Sequence, residues 1–455
     1  MDSTERIAAL RASVVMALRE MRGRNGDLEA CFFVPGRIEV LGKHTDYAGG
    51  RSLLAAVDRG FVIAAARRRD DRVRVVDARS GERFETDSIA AGSGGATGVR
   101  VLAPLRTHAA GNGPVPAWAV YPLTVLRRCA RNFPSAAGGA DIVFASDLPQ
   151  ASGLSSSSAL TVATFLALDA VRGMSQTEEY RAAISSDADL AGYLGAVENG
   201  MSFGALAGDD GVGTMGGSED HTAILCARPG RLVQYSFAPV RAEGDVPLPA
   251  GYTFAVGSSG VRAEKTGAAL EHYNRLSSAT RRLVQLWRST GAGAAQTLGD
   301  IVAQDADAPL RLREIVRSRE PDRADELLAR LAQFVAESEE IVPAASAALA
   351  RGDLSGFAAL VRRSQHFAVE ALRNQVQETN YLATTALDLG AAAASAFGAG
   401  FGGSVWALVP IRDAPDFAGA WRDAYVRRFS TRQDDACFFI TPAAAPATRI
   451  TEELT

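Results

Sequence analysis

Apolar residues recur at helical spacing near the start of the chain. Between Ser3 and Arg22 they fall on one side of a helix, and Ser3 or Thr4 is well placed to cap its first turn. The pattern predicts a surface helix with one packed face, formed by Ile7, Leu10, Val14, Val15, Leu18 and Met21.

The pattern changes after residue 30 to short runs typical of β-strands. Turn signals at Pro35-Gly36 and Ala48-Gly49-Gly50 separate several of these runs. The tract 90–113 is rich in Gly, Ala and Ser and predicts a loop or a poorly ordered insertion. The predicted strands are 31–34, 38–41, 53–57, 61–66, 73–76 and, further along, 141–146.

The second half of the chain shows longer helical patterns. A helix is predicted over 177–202 and strands over 223–226 and 232–235, where we expect a second lobe to begin. An α+β protein with lobes 1–225 and 226–455 is therefore expected. The predicted elements of the second lobe are a strand at 253–257, helices at 264–288, 324–348, 354–374 and 381–389, and a β-α-β-like unit at 404–409, 415–429 and 436–440.

Composition narrows the class of protein further. The formal net charge of the 455 residues is −4, which argues against a nucleic-acid partner because such binders carry a basic surplus. No apolar run approaches the length of a membrane span, and no signal peptide is evident. The four scattered cysteines suggest free thiols. We therefore expect a cytoplasmic protein without a membrane partner; the sequence leaves the oligomeric state open.

A serine-rich stretch lies immediately before a run of good helix formers. Residues 148–158 contain Pro149, Gly153 and four consecutive serines, and residues 159–168 are mostly apolar. Such a junction directs unpaired backbone N–H groups and the positive end of a helix dipole into the loop. It predicts a phosphate-binding loop that opens a helix, with a serine-rich helix cap that binds nothing as the alternative.

A second polar stretch follows the predicted strand 38–41. The run Lys43-His44-Thr45-Asp46 lies between two turn signals and offers both donors and acceptors. Sugar hydroxyls need such groups at fixed angles, so a polyhydroxylated ligand suits this stretch. An ordinary surface turn is the alternative reading of this segment taken alone.

Three segments together resemble the GHMP kinase family. Residues 36–50 are similar to the galactokinase signature Gly-Arg-x-x-x-x-Gly-Glu-His-Thr-Asp-Tyr-x-x-Gly, the serine loop resembles the second GHMP motif, and residues 397–404 resemble the third. The resemblance implies the two-lobed GHMP kinase fold, with an N-terminal lobe like domain 2 of ribosomal protein S5 and a ferredoxin-like C-terminal lobe. ATP and substrate would meet in the cleft between the lobes.

The resemblance also implies catalytic roles. Arg37 matches the arginine that lies near the reacting hydroxyl and stabilises transferred charge. Asp220 occupies the place of the catalytic aspartate that the family carries in Gly-Ile-Met-Asp-Gln. The local sequence, Gly217-Ser218-Glu219-Asp220-His221, has diverged, and Glu219 is the rival candidate for the catalytic acid.

Nucleotide and metal sites are implied in the same way. Ser157 aligns with the serine that binds Mg²⁺, and Glu198 aligns with its partner glutamate; both offer oxygen ligands to a hard ion. Trp118 and Tyr121 align with the aromatic pair that flanks adenine in galactokinases. The loop that would cradle the ATP phosphates comprises Gly153, Leu154, Ser155, Ser156, Ser157 and Ser158.

The sugar side departs from the family at one position. The resemblance places Arg37, Lys43, His44, Asp46, Gly217 and Asp220 around the sugar, with Tyr273 as a further candidate. Where galactokinases carry Glu, this chain has Lys43, so a cationic donor replaces an acceptor. The change leaves open galactose and, selected through Lys43, a uronic acid, arabinose or a heptose.

The resemblance implies an ATP- and Mg²⁺-dependent kinase that phosphorylates the anomeric C1 hydroxyl of galactose or a related monosaccharide. Its small-molecule partners would be the sugar and ATP. One rival is a GHMP kinase for mevalonate, homoserine or another small alcohol. Another is a galactokinase-like sensor that binds sugar and ATP but turns over poorly.

Overall fold

The computed structural model describes residues 2–22, 28–87, 100–102, 115–149, 152–261, 267–291 and 293–451, with the side chains of all but 100–102 and 267–273. Most of the tract 90–113, predicted as a loop or insertion, lies outside the described residues.

Two β-sheets organise the described part of the chain. The larger sheet follows the order β13-β1-β2-β6-β3-β4-β5, with β7 and β8 joined through β2. Its strands are β1 (Ala30–Leu41), β2 (Arg51–Arg67), β3 (Arg72–Asp77), β4 (Arg83–Asp87), β5 (Arg100–Leu102), β6 (Ala140–Ser146), β7 (Arg231–Ser236), β8 (Arg241–Pro247) and β13 (Thr448–Arg449). The smaller sheet has the order β10-β11-β9-β12, from β9 (Tyr252–Ser258), β10 (Ala393–Phe397), β11 (Ser404–Pro410) and β12 (Cys437–Thr441).

The first two strands are longer than the sequence predicts. Pro35-Gly36 does not end a strand; instead β1 continues through it, with a register shift as Pro35 pairs with Gly60 and Arg37 with Ala56. Such irregularities bend a strand and re-aim its side chains. Gly36 also lets β1 approach the serine loop, since a Cβ at this position would lie 2.8 Å from the Leu154 carbonyl oxygen.

The helices packed on the larger sheet confirm some predictions and correct others. The predicted helix 3–22 is α1, and the helix predicted over 177–202 is broken into α4 and α5. The strand predicted at 223–226 is wrong, because these residues belong to α6; a short apolar run does not distinguish a strand from a buried helix. The helices are α1 (Ser3–Arg22), α2 (Val120–Asn132), α3 (Ser156–Arg172), α4 (Glu178–Ala183), α5 (Asp187–Asn199) and α6 (Glu219–Cys226).

The second half is mainly helical. Two π-helical segments, Ala336–Ile341 and Ala368–Leu372, follow α10 and α12, and two short helices that the sequence analysis missed precede α10. The helices are α7 (Gly267–Arg288), α8 (Leu298–Gln304), α9 (Ala308–Arg319), α10 (Ala324–Val335), α11 (Val342–Ala350), α12 (Leu354–Phe367), α13 (Gln377–Asp388) and α14 (Ala414–Arg428).

The closing β-α-β-like unit is confirmed, in a split form. Strands β11 and β12 both pair antiparallel with β9, so they run parallel to each other, and α14 connects them. The lobe boundary predicted between 225 and 226 does not coincide with the division of the sheets. Strands β7, β8 and β13 all belong to the larger sheet, because short apolar strands do not reveal their partners.

Candidate active site

A cavity opens where β1, α5, α6 and the loop between β10 and β11 meet. Residues from three distant parts of the chain converge on it. Six residues that the sequence analysis assigned to substrate, metal or catalysis line this cavity: Arg37, His44, Asp46, Glu198, Gly217 and Asp220.

Arg37 and Asp220 form an ion pair in this cavity. Arg37 Nε donates to Asp220 Oδ1 at 2.7 Å, and Nη2 lies 2.5 Å from the same oxygen. Arg37 Nη1 donates to the Gly153 carbonyl, so one guanidinium joins the carboxylate to the serine loop. Burial alone would lower the pKa of Arg37, but Asp220, Glu219 and Glu39 together raise it, which keeps the side chain cationic.

The serine loop adopts a conformation that exposes a helix start. Gly153 has a φ of +77° and Ser155, the N-cap of α3, has a φ of +59°. The helix begins at Ser156, right after these two left-handed residues; Ser156, Ser157 and Ser158 thus form its first turn, and the expectation that the helix follows the serines is wrong. Phosphate binding by residues 153–158 stays a prediction.

The third motif supports the serine loop. Ser404 Oγ donates to the Ser152 carbonyl at 2.6 Å, and a Cβ on Gly153 would lie 3.6 Å from Gly403 Cα. Gly398 approaches the loop from the same side, since its Cβ would lie 3.1 Å from the Gly153 carbonyl oxygen. The serine loop of the first lobe therefore rests on Gly398, Gly403 and Ser404 of the second.

Glu198 meets a different serine from the one predicted. Ser158 Oγ, rather than Ser157 Oγ, donates to Glu198 Oε2, at 2.9 Å. The same hydroxyl lies 3.4 Å from Asp220 Oδ2, which links the glutamate to the ion pair. His221 Nε2 also lies 2.9 Å from Glu198 Oε2. His221 thus belongs to the site, although the sequence analysis did not select it. Its position directly after Asp220 is the feature of the sequence that could have identified it.

Glu219, named from the sequence as the rival catalytic acid, is paired with a buried glutamate, Glu39, that the sequence analysis missed. Glu39 and Glu219 both line the cavity and are hydrogen-bonded to each other, and Ser52 Oγ donates to Glu219 Oε2 at 2.6 Å. Burial raises the pKa of Glu39 to about 7, although Lys43, Arg37 and the bond to Glu219 oppose the rise. Burial and the neighbouring Glu39 raise the pKa of Glu219 well above its usual value. Glu39 could have been identified from the sequence as a charged residue between two apolar residues, Ile38 and Val40, of a predicted strand.

Lys43 does not line the cavity. The residue is 1% exposed, and its ammonium group donates to Ser364 Oγ of α12 at 3.0 Å and to Ser395 Oγ of β10 at 2.9 Å. Ser364 Oγ in turn donates to Glu337 Oε1 at 2.8 Å. The side chain that the sequence analysis assigned to the sugar therefore joins the first motif to the second lobe.

His44 and Asp46 are held in place at the cavity wall. The two ring nitrogens of His44 lie 2.9 Å from the Tyr47 hydroxyl and 3.1 Å from the Ala399 carbonyl oxygen. Asp46 Oδ2 accepts from the Glu219 backbone N–H at 3.3 Å. A Cβ on Gly217 would lie 2.5 Å from Asp46 Oδ2, so this position requires glycine. Their sugar-binding roles stay predictions.

The predicted adenine pair lies beside α2. Trp118 packs edge-on against Phe144, with ring centroids 4.9 Å apart, and its Nε1 donates to Glu82 Oε2 at 2.9 Å. Tyr121 lies on the first turn of α2 and is half-buried. Adenine binding by Trp118 and Tyr121 stays a prediction, and the side chain of Tyr273 lies outside the described residues.

This fold and site define the class of protein. Family models for the GHMP kinase N-terminal and C-terminal domains match residues 121–204 and 345–427, so the chain has the two-domain GHMP kinase fold. The model for the galactokinase galactose-binding signature matches residues 19–67, which include Arg37 and the Lys43-His44-Thr45-Asp46 run.

Comparisons with individual proteins show which family of GHMP kinases the chain resembles. The galactokinase of Chloroflexus aggregans is 30% identical over 413 residues, covering 89% of this chain and 90% of that protein. The galactokinase of Streptomyces coelicolor is 26% identical, covering 92% of this chain and 93% of that protein. The crystal structure of Lactococcus lactis galactokinase complexed with galactose superposes with a TM-score of 0.72 at 21% identity, covering 96% of this chain and 99% of that one.

The chain belongs to the galactokinase family of GHMP kinases. It is thus a galactokinase-type phosphotransferase, a class that uses ATP, and the predictions of fold, enzyme class and sugar kinase activity are confirmed. In the described part of the chain, every helix is too short or too polar to cross a membrane. The cytoplasmic location and the absence of nucleic-acid and membrane partners stay predictions.

Proposed function

We propose that the chain transfers the terminal phosphoryl group of ATP to the anomeric hydroxyl of galactose or a closely related monosaccharide. The observation that carries the proposal is the Arg37–Asp220 ion pair, which lies in one cavity with the first motif and beside the serine loop. The galactose named in the Lactococcus lactis complex, and the galactose-binding signature, favour this sugar class.

Asp220 is the acceptor of the sugar hydroxyl proton, or the group that orients that hydroxyl. Two nitrogens of Arg37 contact Oδ1 of the carboxylate, and Ser158 Oγ lies 3.4 Å from Oδ2, so both oxygens have a neighbour at the cavity wall. The retained positive charge of Arg37 stabilises the phosphoryl group during transfer. Since phosphoryl transfer asks for little covalent help, positioning of the two substrates supplies most of the rate.

Serine and glutamate oxygens provide a fitting place for Mg²⁺. Ser158 and Glu198 would hold the ion, because hydroxyl and carboxylate oxygens are the ligands that Mg²⁺ prefers. Ser158 Oγ and Glu198 Oε2 are 2.9 Å apart. Ser157, which the family alignment selects, is the alternative hydroxyl. When bound, the ion neutralises charge on the ATP phosphates.

A coupled assay of ADP release, with galactose and a panel of related sugars, tests the proposal. Wild-type protein is expected to release ADP in a sugar-dependent manner, and Asp220→Asn is expected to slow this release by about 10²-fold or more. Glu179→Gln, on the exposed side of α4, is the matched carboxylate control. Binding of ATP and sugar without ADP release for any sugar would instead support the sensor.

A further inference from the structure

One buried carboxyl oxygen of a cavity-lining side chain receives no N–H or hydroxyl donor from the other described residues. Glu39 is 3% exposed and lines the cavity, and its Oε1 accepts no hydrogen bond from any described residue. A buried carboxyl oxygen without a donor is costly, since its lost hydration is not replaced. A donor brought by a ligand would remove this cost.

The surroundings of Glu39 determine what kind of donor fits. Its hydrogen bond to Glu219 lets the two acids share a proton, while Lys43 and Arg37 favour the ionised form of Glu39. Among the described lining residues, Arg37 is the single Lys or Arg, and Asp220 is its ion-pair partner. The carboxyl side chains that line the cavity are Glu39, Asp46, Glu198, Glu219 and Asp220.

This distribution of charge opposes binding of sugars that carry a carboxylate and favours sugars that carry an ammonium group. A carboxylate on the sugar would face several acids and would offer no hydrogen to Glu39 Oε1. A neutral hydroxyl would satisfy that oxygen, and an ammonium group would do so with a charge-assisted hydrogen bond, which is roughly twice as strong. Lys43 does not reverse this preference, because its ammonium group is directed to Ser364 and Ser395.

We propose that Glu39 contacts the sugar through Oε1 and that, at this site, the enzyme prefers amino sugars over neutral hexoses and rejects uronic acids. The inference rests on the proposed sugar kinase function and adds to it the substrate class and the residue that selects it. Glu219 acts as a positioning residue, since its side chain is hydrogen-bonded to the Glu39 carboxyl group.

Steady-state kinetics on galactose, its 2-amino and 6-amino analogues, and galacturonate test this preference. For wild-type protein, kcat/KM for at least one amino analogue is expected to exceed that for galactose about tenfold, and galacturonate is expected to give no turnover. Turnover of galacturonate, or no advantage for either amino sugar, would overturn the inference. These measurements need no variant.

Glu39→Gln then tests the residue itself. The amide keeps the shape of the side chain and removes its charge, so the amino-to-neutral ratio of kcat/KM is expected to fall to about 1, while Glu179→Gln keeps the wild-type ratio. An unchanged ratio in a folded Glu39→Gln variant contradicts the role of Glu39. If wild-type protein releases ADP with galactose but Glu39→Gln keeps the wild-type amino-to-neutral ratio of kcat/KM, only this inference is contradicted. If wild-type protein releases no ADP with any sugar, the proposed function itself is contradicted.

Discussion

Asp220 is held by Arg37 through a single oxygen, Oδ1, which receives Nε at 2.7 Å and faces Nη2 at 2.5 Å. The pair connects α6 to β1, and through Gly153 it also connects to the serine loop. The same guanidinium therefore orients the proposed base and contacts the loop that would receive phosphate.

Asp220→Asn is expected to lower kcat by about 10²- to 10⁴-fold, the usual contribution of general acid–base catalysis. The amide occupies the same space, but it neither accepts a proton nor pairs fully with Arg37. Sugar binding, measured by calorimetry without ATP, should weaken much less than kcat falls. If the variant retains more than a tenth of wild-type kcat, Asp220 is not the base, and Glu219 becomes the candidate for this role.

Ser157→Ala and Ser158→Ala form a matched pair that tests the metal site. Because Ser158 Oγ contacts Glu198 and Ser157 Oγ is only implied by alignment, Ser158→Ala should raise the Mg²⁺ concentration for half-maximal rate by about tenfold or more. Ser157→Ala should raise it less. Titration of Mg²⁺ at saturating sugar measures both, and the reverse order would assign the site to Ser157.

Lys43→Glu is expected to destabilise the protein without improving its use of galactose. The new carboxylate would be buried near Glu337 and Glu39, and an uncompensated buried charge costs about 3–5 kcal/mol. A large fall in the thermal midpoint is the expected readout. Arg412→Glu, at a side chain 86% exposed, is the control for charge reversal. A stable Lys43→Glu protein with faster turnover of galactose would restore Lys43 as the specificity residue.

Glu39 should make stability depend on pH. Its pKa of about 7 in the folded chain lies above the ordinary 4.5, so the native state keeps a proton that the unfolded state has released. The free energy of unfolding should then fall as pH rises from about 4.5 to about 7, by at most about 1.4 kcal/mol per pH unit.

Thermal midpoints of wild type and Glu39→Gln, compared at pH 5 and pH 7.5, measure this effect. The variant lacks the titrating group, so its advantage over wild type should be larger at pH 7.5. An equal difference at the two pH values would mean that Glu39 does not titrate in this range.

Local patterns and motifs predicted much of this molecule. The helix 3–22 matches α1, and the motifs gathered Arg37, Asp46, Glu198 and Asp220 into one cavity because the family resemblance encodes distant contacts. The strand predicted at 223–226 failed because four apolar residues fit either element.

The direction of individual side chains could not be read from the sequence. Lys43 lies within a motif for sugar binding, yet its long flexible stem reaches Ser364 and Ser395, more than three hundred residues away in sequence. Glu39 was missed for the converse reason: alternation in a strand buried on both faces does not reveal which side carries a cavity.

The last described strand, β13, lies at one end of the larger sheet and pairs with β1, where Phe32 faces Arg449, and the Ile450 N–H donates to the Cys31 carbonyl at 2.8 Å. During synthesis from the N-terminus, the edge of β1 at Phe32 and Phe33 lacks its β13 partner until residue 450 has emerged. A nascent chain stalled before that point exposes this short segment of strand edge to pairing with other chains.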